Sequence, residues 1–253
     1  MTAFTRPSRW GIAACALLGL APLASAQQRP SEALTERLAR SAPALDRKVL
    51  ALATRALSCA AGRPGTAPAT LSVIDYSLPS TKPRLWVFDL AQQKLLFEEW
   101  VAHGRNTGDN LATRFSNESG SYMSSLGAFR TEEAYVGQNG YSLRLKGLEP
   151  GINDKARERA IVIHGAPYVS QALISSQGRL GRSLGCPAVR SAVARPLIDS
   201  IRDGSFVFAY YPDQRWLKQS QLLNSDCGNA VVPPQGSRTA AMPSAGSGNL
   251  NSP

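Results

Sequence analysis

The stretch "AIVIHGAPYVSQALISSQGRLGRSLGCPAVR", residues 160–190, joins an apolar, strand-like run to a cysteine in turn chemistry. The run ends at His164 and Gly165, and Cys186 follows Gly185 and precedes a proline. A cysteine that only fills a core usually stands in an apolar run. In a turn with arginines nearby, a thiol pKa can fall and the thiolate can be nucleophilic. Three roles are therefore open for Cys186: nucleophile, disulfide partner or incidental thiol.

Short runs rich in β-branched and aromatic residues predict strands on both sides of this stretch. The runs are "LSVIDYS", "RLWVFDL", "LLFEEWVAHG", "LGAFRTE", "YSLRLKG", "AIVIHG" and "FVFAYYP". Helical spacing of apolar residues predicts two N-terminal helices, one capped by Ser31 and one over about Ala44 to Leu57. A further helix is expected at about Ala192 to Ile201. The pattern predicts a mainly β (α+β) domain with peripheral helices and an N-terminal helical hairpin.

The two ends of the chain differ in composition from this domain. Residues 1–26 have two arginines, an apolar stretch and a small-x-small ending, as a secretory signal peptide does. Residues 27–62 are expected to be the helical segment, 70–212 the main domain and 213–231 a C-terminal extension. The small, polar and proline-rich residues 232–253 predict a disordered tail. We therefore expect an exported, periplasmic or secreted protein with no stable membrane insertion after signal cleavage.

Charge and cysteine usage narrow the class of protein further. The formal net charge of +10 is typical of a protein that meets an anionic polymer, a cell wall or a membrane surface. No motif of a nucleic-acid-binding fold is present, so nucleic acid is not an expected partner. Outside the signal peptide the chain has Cys59, Cys186 and Cys227. An odd number in an oxidising compartment suggests one pair and one free thiol, and a Cys59–Cys227 disulfide is the preferred pairing.

The chain has two histidines, and both stand where a strand-like run ends. His103 and His164 are each followed by glycine, which gives little steric cover, so either ring can face a cleft. Cysteine chemistry needs an imidazole that takes the thiol proton and returns it to a leaving group. His164 and Cys186 could supply that pair, although a lone histidine is more often structural.

The same stretch resembles the signature of the L,D-transpeptidases of the bacterial cell wall, which have the YkuD-type catalytic domain. That signature is a strand ending in His-Gly, then Ser/Thr-x-Gly-Cys; here it reads "IHG" at 163–165 and "SLGC" at 183–186. "RFSNESGSYMSSLGAF" and "YSLRLKGLEPGINDKARERAIVIHG" resemble one subgroup, the murein L,D-transpeptidase catalytic domain proteins. The resemblance covers about residues 70–212 and implies a YkuD-like β-sandwich or barrel.

The resemblance implies roles for the residues that match the motif. Cys186 would be the nucleophile, and His164 the base that deprotonates it and later protonates the leaving amine. Gly165 matches a position whose backbone carbonyl orients the imidazole. Ser183 is expected to brace the turn, unless it is a simple turn residue. The backbone amides of 184–186, with Gly185 at their centre, are candidate donors to an oxyanion.

Two departures from the commonest motif concern the residues around the nucleophile. Leu184 stands where a second histidine is common, so His103 is a candidate substitute, against a structural or substrate-binding role. Ala188 stands where an arginine or asparagine is common. Arg182 or Arg190 could instead meet a substrate carboxylate, against the alternative that each is a solvated surface charge.

The activity implied by the resemblance is transfer of a peptidoglycan stem peptide. Two histidines and scattered carboxylates make no convincing metal-ligand cluster, so we expect no metal or other cofactor, and we expect a monomer. The cysteine would attack the third residue of a stem tetrapeptide, release D-alanine and pass the acyl group to an amine, giving 3→3 cross-links, or to water. Tyr122, Ser124, Ser125 and Tyr168 could line the groove, although turn and packing roles explain them as well. A sortase-like cysteine acyltransferase or peptidase, and a peptidoglycan-binding module without turnover, are the alternatives.

Overall fold

The computed structural model describes residues 1–2, 30–61 and 67–225. The predicted signal peptide lies almost entirely outside these residues, and Cys227 and the predicted disordered tail lie wholly outside them. Among the described helices, none has the length and apolar character that a membrane span requires.

A mixed sheet of eight strands forms the centre of the fold. The strands are β1 (Thr70–Asp75), β2 (Leu85–Asp89), β3 (Lys94–Glu99), β4 (Gly127–Gly137), β5 (Gly140–Gly147), β6 (Val162–Ala166), β7 (Ala188–Arg190) and β8 (Phe206–Tyr210). Their order across the sheet is β3-β2-β1-β8-β4-β5-β6-β7. The pairs β1–β8 and β6–β7 are parallel, and the other pairs are antiparallel.

The two ends of this sheet meet in space. After β3 the chain turns back towards β7, where Ala102 bridges Ala188 and Gly104 bridges Ser183. These bridges make the sheet a nearly closed barrel, and they bring the end of one predicted strand to the cysteine turn. The predicted fold class, a mainly β domain with peripheral helices, is confirmed.

Strand β1 lies in the middle of the sheet, and all six of its residues are buried. One reason is that helices cover it: both α2 (Arg47–Ala61) and α4 (Ser191–Ile201) contact β1. Strands covered on both faces are expected to read as near-continuous apolar runs. The core clusters around this strand, with Trp86, Phe88 and Phe208 fully buried beside it.

The predicted N-terminal hairpin is present as α1 (Pro30–Ser41) and α2, which pack on each other. Helix α2 begins three residues later than the spacing predicts because Asp46 caps it. The Asp46 carboxylate accepts hydrogen bonds from the amides of Lys48 at 2.7 Å and Val49 at 3.2 Å. The helix α4 predicted at 192–201 is confirmed within one residue.

Among the described residues, five short elements were not predicted from the pattern: β7, a 3-10 helix (Asp154–Ala156), α3 (Gln171–Gln177), α5 (Gln214–Gln219) and α6 (Gln221–Asn224). Helix α3 has local signals at both ends, since the Ser170 hydroxyl accepts from the Leu173 amide and Gly178 ends the helix at φ 68°. Strand β7 is only three residues long. Its identity as a strand depends on β6 and Ala102, which are distant in sequence.

Candidate active site

Strands β6 and β7 place the His-Gly and Gly-Cys segments next to each other. His164 is opposite Ala188 in the parallel pair, and its amide donates to the Pro187 carbonyl at 3.4 Å. Cys186 directly precedes that proline. The histidine and the cysteine therefore stand on adjacent chain segments at one end of the β6–β7 pair.

The His164 ring is held in one tautomer. Its Nδ1 lies 3.0 Å from the Gly165 carbonyl oxygen, which can only accept, so Nδ1 carries the proton. Nε2 then keeps its lone pair. Burial lowers the pKa of His164 below its usual value, with the Gly165 hydrogen bond opposing the shift. The ring is therefore neutral near pH 7 and suited to accept a proton.

The cysteine turn is braced by Ser183 from within. The Ser183 hydroxyl donates to the Cys186 carbonyl at 2.6 Å and accepts from the Gly185 amide at 3.0 Å. The bracing geometry expected of Ser183 is therefore present. Because the Gly185 amide is occupied, the amides of Leu184 and Cys186 remain as the candidate oxyanion donors.

Gly185 has a backbone that other residues rarely adopt, with φ at 126°. A Cβ added there would lie 2.9 Å from the Met123 carbonyl oxygen, so the loop would have to move. We expect Gly185→Ala to lower the free energy of unfolding by about 1–3 kcal/mol and to distort the cysteine turn. Urea unfolding measures the stability, and Cys186 alkylation reports the turn.

The matched control for this change is Gly178→Ala. Gly178 also has a positive φ, 68°, but a Cβ there would meet nothing within 4 Å. Gly178→Ala therefore tests the modest cost of a left-handed backbone without the collision. Equal losses of stability and alkylation in the two variants would contradict the proposed contact between the turn and the loop.

The Cys186 thiol is 9% exposed and free. The role of disulfide partner is thus excluded for it in this structure. Its Sγ lies 3.6 Å from the carbonyl oxygen of Ala160, to which the thiol donates. Burial raises the pKa of the thiol above its ordinary value near 9, and the positive charge of Arg159 opposes that rise. At neutral pH the resting side chain is therefore a protonated thiol.

We expect alkylation of Cys186 by iodoacetamide to be slow at neutral pH and to accelerate as the pH rises above 9, because only the thiolate reacts. Mass spectrometry of the labelled peptide gives the rate at each pH, with glutathione as a reference thiol. A rate that is already high near pH 6 and flat above it would mean a resting thiolate–imidazolium pair, contrary to the protonated thiol.

Arg159 was not predicted from the sequence, although it stands three residues before the strand-forming run "VIHG". Its guanidinium donates to the carbonyls of Ser116 and Met123, each at 2.7 Å. It also donates to the hydroxyls of Ser125 at 2.5 Å and Ser121 at 3.2 Å. These four bonds hold residues 116–125 against the segment that carries Ala160 and, through it, the thiol.

Ser124 ties the same loop to the cysteine turn. Its hydroxyl donates to the Gly185 carbonyl at 3.0 Å and accepts from the Gly104 amide at 3.0 Å. Its amide donates to the Thr107 hydroxyl at 2.7 Å. Ser124 and Ser125 are both buried, so the structure places them as supports of the loop and not on an open groove.

The geometry described so far agrees with a comparison against protein families. The family model described as "L,D-transpeptidase catalytic domain" matches residues 41–210, a range that includes α2 and every strand. The chain belongs to the L,D-transpeptidase catalytic-domain family. No curated protein matches the chain.

Several solved structures are similar to this L,D-transpeptidase domain at low identity. An L,D-transpeptidase from Mycobacterium smegmatis is 13% identical to this chain and matches it with a TM-score of 0.38. The match covers 58% of this chain and 61% of the M. smegmatis chain. L,D-transpeptidase 1 from Mycobacterium tuberculosis is 12% identical, with coverages of 58% and 63% and a TM-score of 0.34. An L,D-transpeptidase from Stackebrandtia nassauensis is 14% identical, with coverages of 73% and 79% and a TM-score of 0.34. This chain spans about three fifths of the length of the first two.

The second histidine of this L,D-transpeptidase domain is an interior residue. His103 is 1% exposed, and its Nδ1 lies 2.7 Å from a nitrogen of the buried Arg84. Since a guanidinium only donates, Nδ1 accepts and the Nε2 proton points to the Gly108 carbonyl at 3.3 Å. Both ring nitrogens are used within the protein. The geometry therefore favours the structural role over the role of substitute base.

Burial, reinforced by the charge of Arg84, lowers the pKa of His103 to about 4. Between the usual value near 6.5 and about 4, the unfolded histidine binds a proton that the folded one does not. Stability is therefore present above this window and falls as the pH drops through it, by about 3 kcal/mol at most. We expect urea unfolding to show this loss, and His103→Gln to remove most of it. An unchanged pH slope in that variant would contradict a neutral buried His103.

Both arginines predicted to meet a substrate carboxylate already have one in the protein. Arg190 makes a bidentate ion pair with Glu99, with nitrogen–oxygen distances of 2.8 and 2.6 Å. Arg182 pairs with Asp109 at 2.8 Å and also donates to the Gly108 carbonyl at 3.1 Å. These contacts neutralise their charges. A different cation would have to serve a substrate carboxylate.

The two tyrosines predicted to line the groove differ in exposure. Tyr168 is half-buried and packs against Gly181, whose added Cβ would lie 2.4 Å from the Tyr168 Cβ. Burial, with a contribution from the Cys186 charge, raises the pKa of Tyr168 to about 12. Tyr122 is 37% exposed. It remains a candidate for contact with a ligand.

The remaining predicted site residues concern the disulfide and a metal. Cys59 is disulfide-bonded. Its predicted partner, Cys227, lies outside the described residues, so the pairing stays a prediction. Within residues 30–61 and 67–225, no three His, Cys, Asp or Glu side chains are grouped as a metal site would require.

Proposed function

We propose that this chain is a peptidoglycan L,D-transpeptidase that acts on stem tetrapeptides through a thioester at Cys186. The observation that carries the proposal is a free cysteine on a glycine turn, beside a histidine whose Nδ1 proton is held by the Gly165 carbonyl. A nucleophile, a base and a group that orients the base are the elements of covalent acyl transfer. Membership of the L,D-transpeptidase family supports the choice of substrate class.

The first half of the reaction forms the thioester. Nε2 of His164 takes the thiol proton, and Sγ attacks the carbonyl carbon of the third stem residue. The oxyanion that forms can be met by the amides of Leu184 and Cys186, a donor set typically worth a few kcal/mol. The bond to the D-alanine nitrogen then breaks, and His164 returns the proton to that leaving amine.

The second half transfers the acyl group. An amine of a second stem peptide attacks the thioester carbonyl, and His164 accepts the proton that this amine loses. The carbon–sulfur bond breaks and the proton returns to Sγ, which restores the thiol. With a third-residue amine as acceptor the product is a 3→3 cross-link. Another amine gives a different conjugate, and water gives the tripeptide.

The resting contact between the thiol and Ala160 sets a requirement on this cycle. The thiol proton points to a backbone carbonyl, at a sulfur–oxygen distance of 3.6 Å. That carbonyl cannot take the proton. Sγ therefore has to exchange this hydrogen bond for one to His164 before attack, and catalytic hydrogen bonds often tighten only when substrate is bound.

The substrate also fits the proposed location of the protein. Peptidoglycan lies outside the cytoplasmic membrane, and the expected signal peptide would export the chain to the periplasm or the exterior. The net charge of +10 favours accumulation at an anionic cell wall. We propose that the domain works there as a monomer.

The test is incubation of the mature protein with a disaccharide tetrapeptide, followed by mass spectrometry of products and protein. Cross-linked dimer with release of D-alanine is the expected result. Tripeptide without dimer would mean that water is the acceptor and would overturn the assignment as a transferase. Unchanged substrate, with no adduct on Cys186, would contradict the proposal and favour a peptidoglycan-binding module.

A further inference from the structure

Tyr122 has a backbone conformation that is unusual for a large side chain, with φ at 53°. Neighbouring contacts hold it there. The Asn106 amide donates to the Tyr122 carbonyl at 3.2 Å, and the Asn106 side chain donates to the Ser121 carbonyl at 2.9 Å. Arg159 binds the residues on both sides, the Ser121 hydroxyl and the Met123 carbonyl. Strained residues held in this way cluster at ligand clamps and active sites.

The constrained ring of Tyr122 supports one particular cation. The guanidinium carbon of Arg105 lies 4.1 Å from the ring centroid, and Arg105 is exposed. Such stacking fixes the plane of the guanidinium but leaves its N–H donors available. The ring therefore holds the Arg105 head group in a defined place at the surface.

The backbone of Arg105 is attached directly to the cysteine turn. Its amide donates to the Ser183 carbonyl at 2.8 Å. The preceding residue, Gly104, is so close to the turn that an added Cβ would lie 2.9 Å from the Gly185 Cα. Leu184, between Ser183 and Gly185, is 60% exposed. A cation, an aromatic ring and an apolar side chain thus lie at the surface next to the turn that carries Cys186.

Arg105 differs from the two arginines considered above in having no carboxylate. The ion pairs of the described residues include Arg182 with Asp109 and Arg190 with Glu99, but none includes Arg105. A guanidinium presents parallel donors that match a carboxylate. Arg105 is exposed and takes part in none of the ion pairs of the described residues, so its charge is available to a ligand.

We propose that Arg105, stacked on Tyr122, binds the terminal carboxylate of the residue that leaves the donor peptide, while Leu184 contacts its small side chain. The proposal rests on the proposed function, because it takes the attacked carbonyl to lie at Cys186. The carboxylate lies one residue beyond that carbonyl, and the Arg105 backbone is bonded to the same turn. The subsite selects peptides that end one residue after the scissile bond.

The experiment compares two donors, a tetrapeptide with a free C-terminal carboxylate and its carboxamide. We expect wild-type kcat/KM to favour the carboxylate by about tenfold, the order expected of one charge-assisted hydrogen-bonded contact. Arg105→Gln is expected to abolish this preference by slowing turnover of the carboxylate donor. Arg55→Gln is the matched control, since it removes the same charge from an exposed position on α2.

A preference that survives in Arg105→Gln, or is lost equally in Arg55→Gln, would overturn the subsite. Tyr122→Leu keeps Arg105 but removes its support, and we expect it to weaken the preference; an unchanged preference in it would contradict the stacked geometry. Equilibrium binding of both peptides to Cys186→Ala separates the two proposals. Selective binding that needs Arg105 would uphold the subsite even if no transfer occurs, whereas equal binding of the two peptides would refute it.

Discussion

Cys186→Ala is expected to reduce turnover of the disaccharide tetrapeptide by at least about 10³-fold, because the acyl group would have no atom to which it can transfer. The thioester adduct at residue 186 should disappear with it. Both are measured in the same mass-spectrometric assay, from release of D-alanine and from the intact protein mass. No other free cysteine among the described residues can replace the sulfur.

The control for this variant is its stability. The side chain that is lost is small, and its sulfur makes only weak hydrogen bonds to the backbone, one to the Ala160 carbonyl and one from Val162. We therefore expect the thermal midpoint to stay within a few degrees of the wild type, as for other mild changes. A well-folded variant that keeps a tenth or more of the activity would refute the assignment of the nucleophile.

His164→Gln is expected to lower kcat by about 10²–10⁴-fold, the usual range for a general acid–base residue. Glutamine can retain a hydrogen bond to the Gly165 carbonyl, but it cannot accept the thiol proton. The variant should also lose the acidic limb of the pH–rate profile, which in the wild type falls below the usual histidine pKa because burial lowers that of His164. Steady-state rates of D-alanine release across the pH range measure both effects.

His103→Gln is the matched control, since it makes the same change at the other histidine. His103 is buried, and both its ring nitrogens face protein partners, so this variant should keep most of its activity. If His103→Gln loses as much activity as His164→Gln and still folds, then the two histidines act together and the assignment of a single base is wrong.

Several strands could be predicted from the sequence because local composition carries the signal. Strands β1, β2 and β8 are covered on both faces or lie in the core, so their residues form near-continuous apolar runs. The turn before Cys186 could also be predicted from its glycine, since φ of 126° at Gly185 favours a residue without a side chain. In contrast, β7 has three residues, and only its partners in space make it a strand.

The parts of the candidate site that were missed depend on pairs of residues far apart in the chain. The sequence suggested that Arg190 and Arg182 were available for a ligand. In the structure, Glu99 and Asp109, which are distant in sequence, neutralise the charges of these two arginines. His103 looked like His164 in its local sequence. The buried Arg84 fixes the tautomer of His103 and helps to lower its pKa. Arg84 lies on the other strand of a hairpin, so the local sequence around His103 does not indicate this contact.

The bridges from Ala102 to Ala188 and from Gly104 to Ser183 form the seam of the barrel, where the two ends of the sheet meet. Cys186, the proposed nucleophile, directly follows the segment joined by these bridges, and the contacts that shape its turn come from both edges. A chain whose seam is still open therefore carries an ordinary cysteine, without its brace from Ser124 or its neighbouring cation. Under the proposed function, the reactivity of Cys186 therefore depends on completion of the barrel.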